Sequence, residues 1–189
     1  HLSVIAASFL PHMIERRVSF LAKSDYFTGK GLGGWFVKHF MLSTGQIPID
    51  RSGGKASEAS LNTGLQVLDR GEMLAMYPEG TRSPDARLYR GRTGVARLVL
   101  ESGATVVPVV MIDTEKAMPI GRKIPRVRRI GTVIGRPLDF SRFADMSADR
   151  FVLRSVTDEI MYEIQQLSGQ EYVDVYASSV RARMAPTSR

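Results

Sequence analysis

The segment from Tyr77 to Ser83, with the sequence Tyr-Pro-Glu-Gly-Thr-Arg-Ser, concentrates chemically capable side chains. Arg82 offers a planar guanidinium that can hold a phosphate through two parallel hydrogen bonds. Glu79 can orient that arginine or accept a proton from a hydroxyl group. Gly80 lets the backbone approach a ligand closely. An ordinary β-turn with a surface ion pair explains each residue equally well when it is taken alone.

Three other segments place similar residues near predicted strand or helix ends. The sequence Gly-Gln-Ile-Pro-Ile-Asp-Arg, Gly45–Arg51, predicts a short strand that delivers Arg51 to its carboxyl end. Pro108 lies within an apolar strand, where it removes a ladder hydrogen bond and so indicates a bulge or a ligand. Arg90 and Arg92 precede a predicted helix start, where they can contact a phosphate or lie in a solvated loop.

Apolar periodicity predicts a scaffold of strands alternating with helices. Predicted strands lie at Val18–Ala22, Gln46–Ile49, Met73–Tyr77, Val106–Ile112 and Ile130–Ile134, and predicted helices at Trp35–Leu42, Lys55–Asp69, Thr93–Glu101 and Asp149–Leu167. This order predicts an α/β fold, a single domain with a largely parallel sheet flanked by helices. The Tyr77–Ser83 segment then follows the carboxyl end of a strand, where α/β folds place ligands.

Some of these elements carry sharper expectations. The stretch Val106–Ile112 is apolar throughout, which predicts a strand buried on both faces. Trp35–Leu42 is expected to be a buried or interfacial helix. The inner face of the last long helix is expected to carry Val152, Val156, Ile160, Ile164 and Leu167. Residues 178–189 are expected to form a frayed basic tail after a domain that spans residues 1–177.

The composition narrows the available chemistry. The 189 residues include no cysteine, which excludes disulfides, thiolate metal sites and a cysteine nucleophile and favours an intracellular setting. Only three histidines are present, so no metal site is predicted. No run of about 20 apolar residues could span a bilayer, and no signal peptide is visible. Because the sequence opens on His1 and not on Met, we expect a fragment or a processed chain.

The chain is strongly basic, with 26 Lys and Arg against 19 Asp and Glu and a formal net charge of +7. This favours anionic partners such as nucleic acid, phospholipid headgroups or phosphorylated small molecules. The stretch from Lys116 to Arg136 contains no acid. It is either a solvated loop or a membrane-facing segment, attracted by about 1 kcal/mol per well-placed basic residue. Because no aromatic residue interleaves with it, nucleic acid is disfavoured.

A glycine-rich segment offers a rival function. Gly29, Gly31 and Gly34 satisfy the G-x-G-x-x-G fingerprint of dinucleotide-binding domains, and Asp50 follows about 20 residues later. The preceding strand is predicted to end near Ala22, however, whereas that fingerprint opens directly from its strand. The spacing therefore disfavours a nicotinamide dinucleotide site.

Taken together and in this order, these segments resemble the four sequence blocks of the lysophosphatidic acid acyltransferase family. That family carries His-x4-Asp, a second block ending in Arg, a Phe/Tyr-Pro-Glu-Gly-Thr-Arg-Ser block and an apolar strand with a proline. Tyr77–Ser83 matches the third block throughout, Gly45 and Arg51 match the second, and Pro108 matches the fourth. The first block begins at His1 but has Ala6 at the position of the family aspartate.

The resemblance implies roles for the matching residues within an acyltransferase domain that lacks its upstream N-terminal segment. His1 would take the proton from the acceptor hydroxyl as that hydroxyl attacks an acyl thioester, and Glu79 is the second candidate catalytic residue. The residues implied to bind the acceptor phosphate are Arg51, Gly80, Thr81 and Arg82. Pro108 would lie near the acyl donor.

The resemblance also implies the partners. The donor would be a thioester of coenzyme A or acyl carrier protein, used without a cofactor or metal, and the acceptor a lysophospholipid. The protein would work in the cytoplasm, peripherally at the anionic inner face of the cell membrane, in phospholipid biosynthesis.

Ala6 leaves two hypotheses open. In the family the aspartate fixes the tautomer of the histidine and stabilises the imidazolium as it forms. The comparable loss in a serine protease costs about 10⁴ in turnover. The chain is therefore either an altered copy of an active enzyme with impaired catalysis, or a non-catalytic lipid-phosphate-binding protein on the same fold.

Overall fold

The computed structural model describes residues 18–23, 31, 34, 35, 39, 45–49, 55–114 and 129–184. The described residues fall into two compact units, one ending at Met76 and the other beginning at Tyr77. In both units helices alternate with strands along the chain, and three of the four strand pairs are parallel, as the α/β prediction requires.

The first unit contains a parallel three-stranded sheet in the order β2–β1–β3. Its strands are β1 (Val18–Lys23), β2 (Gln46–Ile49) and β3 (Met73–Ala75), and helix α1 (Lys55–Asp69) lies between β2 and β3 in the chain. Gly45 leads into β2 with a φ of 75°, and its carbonyl accepts the Phe20 N–H at 3.0 Å. A Cβ at Gly45 would lie 2.6 Å from the Val18 carbonyl oxygen, so the close approach of these two chains requires glycine.

Within residues 77–114 and 129–184, the second unit contains two short strand pairs and three α-helices. Strands β4 (Leu88–Tyr89) and β7 (Tyr172–Val173) pair in parallel, and β5 (Val109–Ile112) and β6 (Gly131–Ile134) pair antiparallel. The helices are α2 (Gly94–Ser102), α3 (Arg150–Ser168) and α4 (Ala177–Met184), with a 3-10 helix at Ser141–Met146. Neither β4 nor β7 nor the 3-10 helix was among the sequence predictions.

The core of the second unit lies between α2 and α3. Leu98 of α2 and Val156 and Ile160 of α3 are almost completely buried, which confirms the predicted inner face at its centre. Helix α3 begins after Asp149, whose carboxylate accepts the N–H groups of the second and third residues beyond it at 2.7 and 3.2 Å. This cap explains why the helix begins where the sequence predicts.

The predicted strand Val106–Ile112 is shorter and more exposed than expected. Val106 makes only an isolated antiparallel bridge to Leu138, and the regular strand begins at Val109. Pro108 lacks an N–H group and interrupts the ladder, although its carbonyl accepts the Gly135 N–H at 2.8 Å. Ile112 is 44% exposed, so the prediction of burial on both faces is wrong. An apolar run cannot distinguish this half-covered antiparallel strand from a buried parallel one.

Two other boundaries differ from the sequence predictions. The strand predicted at Met73–Tyr77 ends at Ala75, because a turn begins at Tyr77. The segment expected to fray from Ser178 instead forms helix α4 as far as Met184. Its start is held by the fully buried Ala177 and by a hydrogen bond from Arg92 to Ser178. These tertiary contacts outweigh the weak amphipathic pattern of the segment.

Several sequence predictions fall on residues outside the described ranges. These are most of the Trp35–Leu42 helix, most of the glycine-rich segment and the basic stretch between 115 and 128. Within the helix, Trp35 and His39 are described as helical, and Trp35 is 53% exposed. None of the helices among the described residues has the length and apolar character needed to cross a membrane.

Candidate functional site

The Tyr77–Ser83 segment forms a tight turn at the start of the second unit. The Gly80 N–H donates to the Tyr77 carbonyl at 3.0 Å, with Pro78 at the second position, where its fixed φ suits a turn. Gly80 has a φ of 72°, which a residue with a side chain adopts only at a cost. The Pro78 carbonyl accepts the Arg92 N–H at 2.8 Å. The turn is therefore bound to the chain that leads into α2.

Glu79 points inward from this turn. It is 3% exposed, and its Oε1 accepts the backbone N–H of Tyr89 at 2.9 Å. The neighbouring N–H groups of Leu88 and Arg90 donate the other way, to the β7 chain, at 2.9 and 3.1 Å. The Glu79 carboxylate thus occupies the edge of β4 that β7 leaves open. It fixes the turn to β4, and its role as a proton acceptor stays a prediction.

The residues after the motif form a polar network that stiffens the path to β4. Asp85 accepts hydrogen bonds from the Arg87 guanidinium at 2.6 and 2.8 Å and from the Tyr89 hydroxyl at 2.9 Å. The hydrogen bonds from Arg87, with that from Tyr89, lower the pKa of the Asp85 carboxyl to about 2 despite the opposing effect of its desolvation. Burial, followed by the hydrogen bond to Asp85 and then the charge of Asp85, raises the pKa of the Tyr89 phenol. The network is therefore charged, paired and largely self-contained at neutral pH.

Arg82 differs from the arginines of that network. It is half-buried on the motif loop. Its guanidinium forms no hydrogen bond or ion pair with any residue that the structure describes. A guanidinium is charged at all physiological pH values and suits a phosphate, and the role of Arg82 in binding one stays a prediction.

Arg90 and Arg92 lie in the segment between β4 and α2, where Arg90 is half-buried and Arg92 is exposed. Both guanidinium groups lie over the Tyr176 ring, with their central carbons 5.7 and 5.0 Å from its centroid. Arg90 Nε is buried, has no hydrogen-bond partner and lies 3.6 Å from an Asp174 carboxylate oxygen. The Arg92 Nη2 donates to the Ser178 hydroxyl at 3.0 Å. Both residues therefore connect β4 and α2 to the start of α4.

Arg92 also lies directly against the motif turn. A Cβ built on Gly80 would approach the Arg92 Cδ to 3.0 Å and its Nε to 3.2 Å. Gly80 is thus required twice, by its backbone conformation and by this contact. Arg92 contacts the turn through both its backbone N–H and its side chain. Its contact with a phosphate stays a prediction.

A residue that the sequence analysis did not single out also contacts the motif. Arg181 of α4 donates through Nη1 to the Thr81 hydroxyl at 3.2 Å, across 100 residues of sequence. The only signal in the sequence was the basic character of the segment, which suggested a tail. The contact depends on α4 folding back beside the turn.

The remaining predicted site residues are not brought to the motif by the described contacts. Pro108 is buried, and its contacts are with Gly135 rather than with the turn. His1, Ala6 and Arg51 lie outside the described residues. The structure therefore assembles Glu79, the Gly80–Arg82 loop and the arginines of its surroundings.

Comparisons with known proteins extend this picture over the rest of the chain. A family model described as Acyltransferase matches residues 1–112. The chain is 26% identical over 168 residues to the 1-acyl-sn-glycerol-3-phosphate acyltransferase of Bacillus subtilis, which covers 88% of this chain and 74% of that protein. It is 29% identical over 103 residues to a chloroplastic 1-acyl-sn-glycerol-3-phosphate acyltransferase of Arabidopsis thaliana, covering 54% of this chain and 29% of that protein.

A solved structure supports the fold. The crystal structure of the 1-acyl-sn-glycerophosphate acyltransferase PlsC from Thermotoga maritima matches with a TM-score of 0.59 at 19% identity, over 100% of this chain and 66% of that chain. The chain spans only 29%, 32% and 47% of the length of three of the plant and algal relatives that it matches. Since the family match covers more than half of the chain and includes the Tyr77–Ser83 motif, the protein belongs to the acyltransferase family, with a fold similar to that of PlsC.

Proposed function

We propose that this protein transfers an acyl group from an acyl thioester to the free hydroxyl of a lysophosphatidic acid-type acceptor, as a step in phospholipid biosynthesis. The observation that supports the proposal is the motif loop, in which Glu79 points inward and the half-buried Arg82 guanidinium has no hydrogen-bond or ion-pair partner among the residues that the structure describes. The names of the relatives, which specify 1-acyl-sn-glycerol-3-phosphate as the acceptor, support the same class of substrate.

The proposed chemistry is direct transfer without a cofactor or metal. His1 accepts the proton of the acceptor hydroxyl, and the hydroxyl oxygen attacks the thioester carbonyl carbon. The carbon–sulfur bond then breaks, and the leaving thiolate takes the proton back from the imidazolium. Arg51 and Arg82 hold the acceptor phosphate with the Gly80–Thr81 backbone, and Pro108 lies on the side of the donor, a thioester of coenzyme A or acyl carrier protein.

Ala6 is expected to impair this reaction. With alanine at this position, the chain lacks the carboxylate that in the family fixes the imidazole tautomer and stabilises the imidazolium. By comparison with a serine protease, where removing that acid costs about 10⁴ in turnover, restoring it should lower the barrier by about 5 kcal/mol. The second candidate function follows from the same residue: a protein that binds lipid phosphate through Arg82 without turnover.

Restoring the carboxylate separates these candidates. We expect Ala6→Asp to raise acyl transfer to lysophosphatidic acid by two to four orders of magnitude, since the comparable acid contributes about 10⁴ in serine proteases. The matched control is Ala7→Asp, which adds the same charge one residue away and should leave transfer at the wild-type level. Transfer is measured with labelled acyl-coenzyme A and acyl carrier protein as alternative donors.

The outcome assigns the function. Turnover gained by Ala6→Asp alone supports the altered enzyme. If Ala6→Asp stays as inactive as Ala7→Asp while wild-type protein binds lysophosphatidic acid, the lipid-phosphate-binding function replaces it. Absence of both binding and transfer contradicts the proposal.

The proposed location is the cytoplasmic face of the membrane. The net charge of +7 supports it, as do the exposed Arg129 and Arg136 at the two ends of β6. Each well-placed basic residue contributes about 1 kcal/mol of attraction to an anionic leaflet. The protein should therefore sediment with phosphatidylserine vesicles at low salt and not with phosphatidylcholine vesicles. Equal sedimentation with both would contradict peripheral binding through charge.

A further inference from the structure

The contact between α4 and the motif loop joins a cation to a neutral group. Arg181 Nη1 donates to the Thr81 hydroxyl at 3.2 Å, and the Arg181 side chain is otherwise exposed. No carboxylate among the described residues pairs with it. The hydroxyl accepts a hydrogen bond but does not balance the charge, so among the described residues the positive charge of Arg181 lies uncompensated beside Thr81, the residue before Arg82.

The acids near the loop are already committed elsewhere. Glu79 faces the Tyr89 N–H, Asp85 holds Arg87, and Asp174 is the ion-pair partner of Arg90. Arg92, which crosses over Gly80, bonds to a neutral serine and stacks on a tyrosine ring. Three arginines of the loop and its contacts therefore have no carboxylate partner among the described residues: Arg82 of the loop itself, Arg92 against Gly80 and Arg181 on Thr81. Such an excess of like charge is costly unless an anion joins it.

We infer that Arg181 contacts the phosphate bound at the motif loop and sets a preference for a phosphate monoester over a diester. The inference rests on the proposed function, because it concerns the same loop. A monoester carries a charge between about −1.5 and −2 at neutral pH, whereas a diester carries one negative charge. The Arg82 guanidinium alone balances the single negative charge of a phosphate diester. The Arg181 guanidinium, which is hydrogen-bonded to Thr81, balances the additional charge of a monoester. The phosphate can belong to the acceptor lipid or to coenzyme A, since both present a monoester.

The test measures binding with soluble probes. Short-chain lysophosphatidic acid supplies the monoester lipid, short-chain lysophosphatidylcholine the diester, and coenzyme A the donor phosphate, each titrated by calorimetry. Arg181→Gln is compared with Arg183→Gln, which removes the same charge from the last turn of the same helix, where no described residue pairs with it. Arg82→Gln reports on the proposed phosphate site itself.

We expect Arg181→Gln to weaken monoester binding about threefold to tenfold, the range for an exposed charge-assisted hydrogen bond. Diester binding should change by less than a factor of two, and Arg183→Gln should leave both unchanged. Arg181→Lys keeps the charge and should retain most of the monoester preference, which a purely structural role would not produce. An effect confined to lysophosphatidic acid assigns the contact to the acceptor, and one confined to coenzyme A assigns it to the donor.

The opposite results overturn the inference without overturning the function. If Arg82→Gln weakens monoester binding while Arg181→Gln matches Arg183→Gln, the loop binds phosphate without Arg181. Equal loss of monoester and diester binding in Arg181→Gln also rejects the selectivity. If Arg82→Gln binds the monoester as tightly as the wild type does, the proposed phosphate site at Arg82 is wrong. The inference about Arg181 then fails as well unless Arg181→Gln lowers the ratio of monoester to diester affinity.

Discussion

Replacing Glu79 by alanine should destabilise the second unit by removing the group that fixes the motif turn. The change leaves the buried Tyr89 N–H without its acceptor at 2.9 Å, on the edge of β4 that none of the described strands covers. An unsatisfied buried donor costs about 1–3 kcal/mol. For a chain of this size each kcal/mol lowers Tm by about 2–4 °C, so a fall of about 2–12 °C is expected. Glu79→Gln keeps an oxygen acceptor and should lose less.

The assay combines thermal unfolding with amide hydrogen exchange at Tyr89. The control is Glu171→Ala, because that side chain is 70% exposed and contributes only an ion pair of 3.5 Å to Arg87. Such a pair is worth about 0.2–1 kcal/mol or less. If Glu79→Ala and Glu171→Ala unfold at the same temperature and the Tyr89 amide stays protected from exchange, the Glu79 hydrogen bond does not stabilise the turn. If Glu79→Gln instead keeps full stability but abolishes transfer in the Ala6→Asp protein, Glu79 is the proton acceptor that the sequence analysis predicts.

Two further predictions concern the same loop. Gly80→Ala should destabilise the protein more than Gly103→Ala, because both positions have a φ near 70° but only Gly80 has the Arg92 side chain 3.0 Å from the added Cβ. The left-handed backbone costs each about 1–2 kcal/mol, and urea midpoints measure the difference; equal midpoints would show that Arg92 simply moves aside. The lowered pKa of Asp85, about 2 against an ordinary 3.8, contributes stability that is present above pH 4 and is lost as the pH falls through 2. Asp85→Asn should therefore narrow its stability deficit relative to wild type between pH 5 and pH 2, and a deficit constant over that range would contradict the assigned pairing.

Elements with strong local patterns could be predicted from the sequence. Helix α1 spans Lys55–Asp69 as predicted, since its leucine spacing and the glycine after it are local features. Helix α3 begins within one residue of its predicted start because Asp149 caps it. Fold class followed from the order of these elements, and the structural match to PlsC confirms it.

Elements that depend on distant contacts could not be predicted. Strands β4 and β7 have two residues each, too few to show an alternation of apolar and polar residues. They form only because residues 88–90 hydrogen-bond to residues 171–175. The same fold-back makes α4 out of a segment that looks like a tail. Pro108 divided an apolar run that otherwise resembles one buried strand.

The site shows the same division. The loop could be identified from the sequence because its motif is one contiguous stretch, Tyr77–Ser83. The sequence could not show that Glu79 faces inward, since an acid beside an arginine equally suggests an ion pair. Nor could it show that Arg181 reaches Thr81, because that contact joins residues 100 positions apart. Both features depend on the packing of β4 and α4 around the turn.

The central claim is that Arg82 holds the phosphate of the acceptor during acyl transfer. It is tested most directly by adding Arg82→Gln to the Ala6→Asp protein and measuring initial rates against lysophosphatidic acid concentration. Losing a charge-assisted contact of about 1.5–3 kcal/mol should raise the acceptor KM at least tenfold and leave the donor KM within a factor of two. An unchanged acceptor KM in the double variant would contradict the claim.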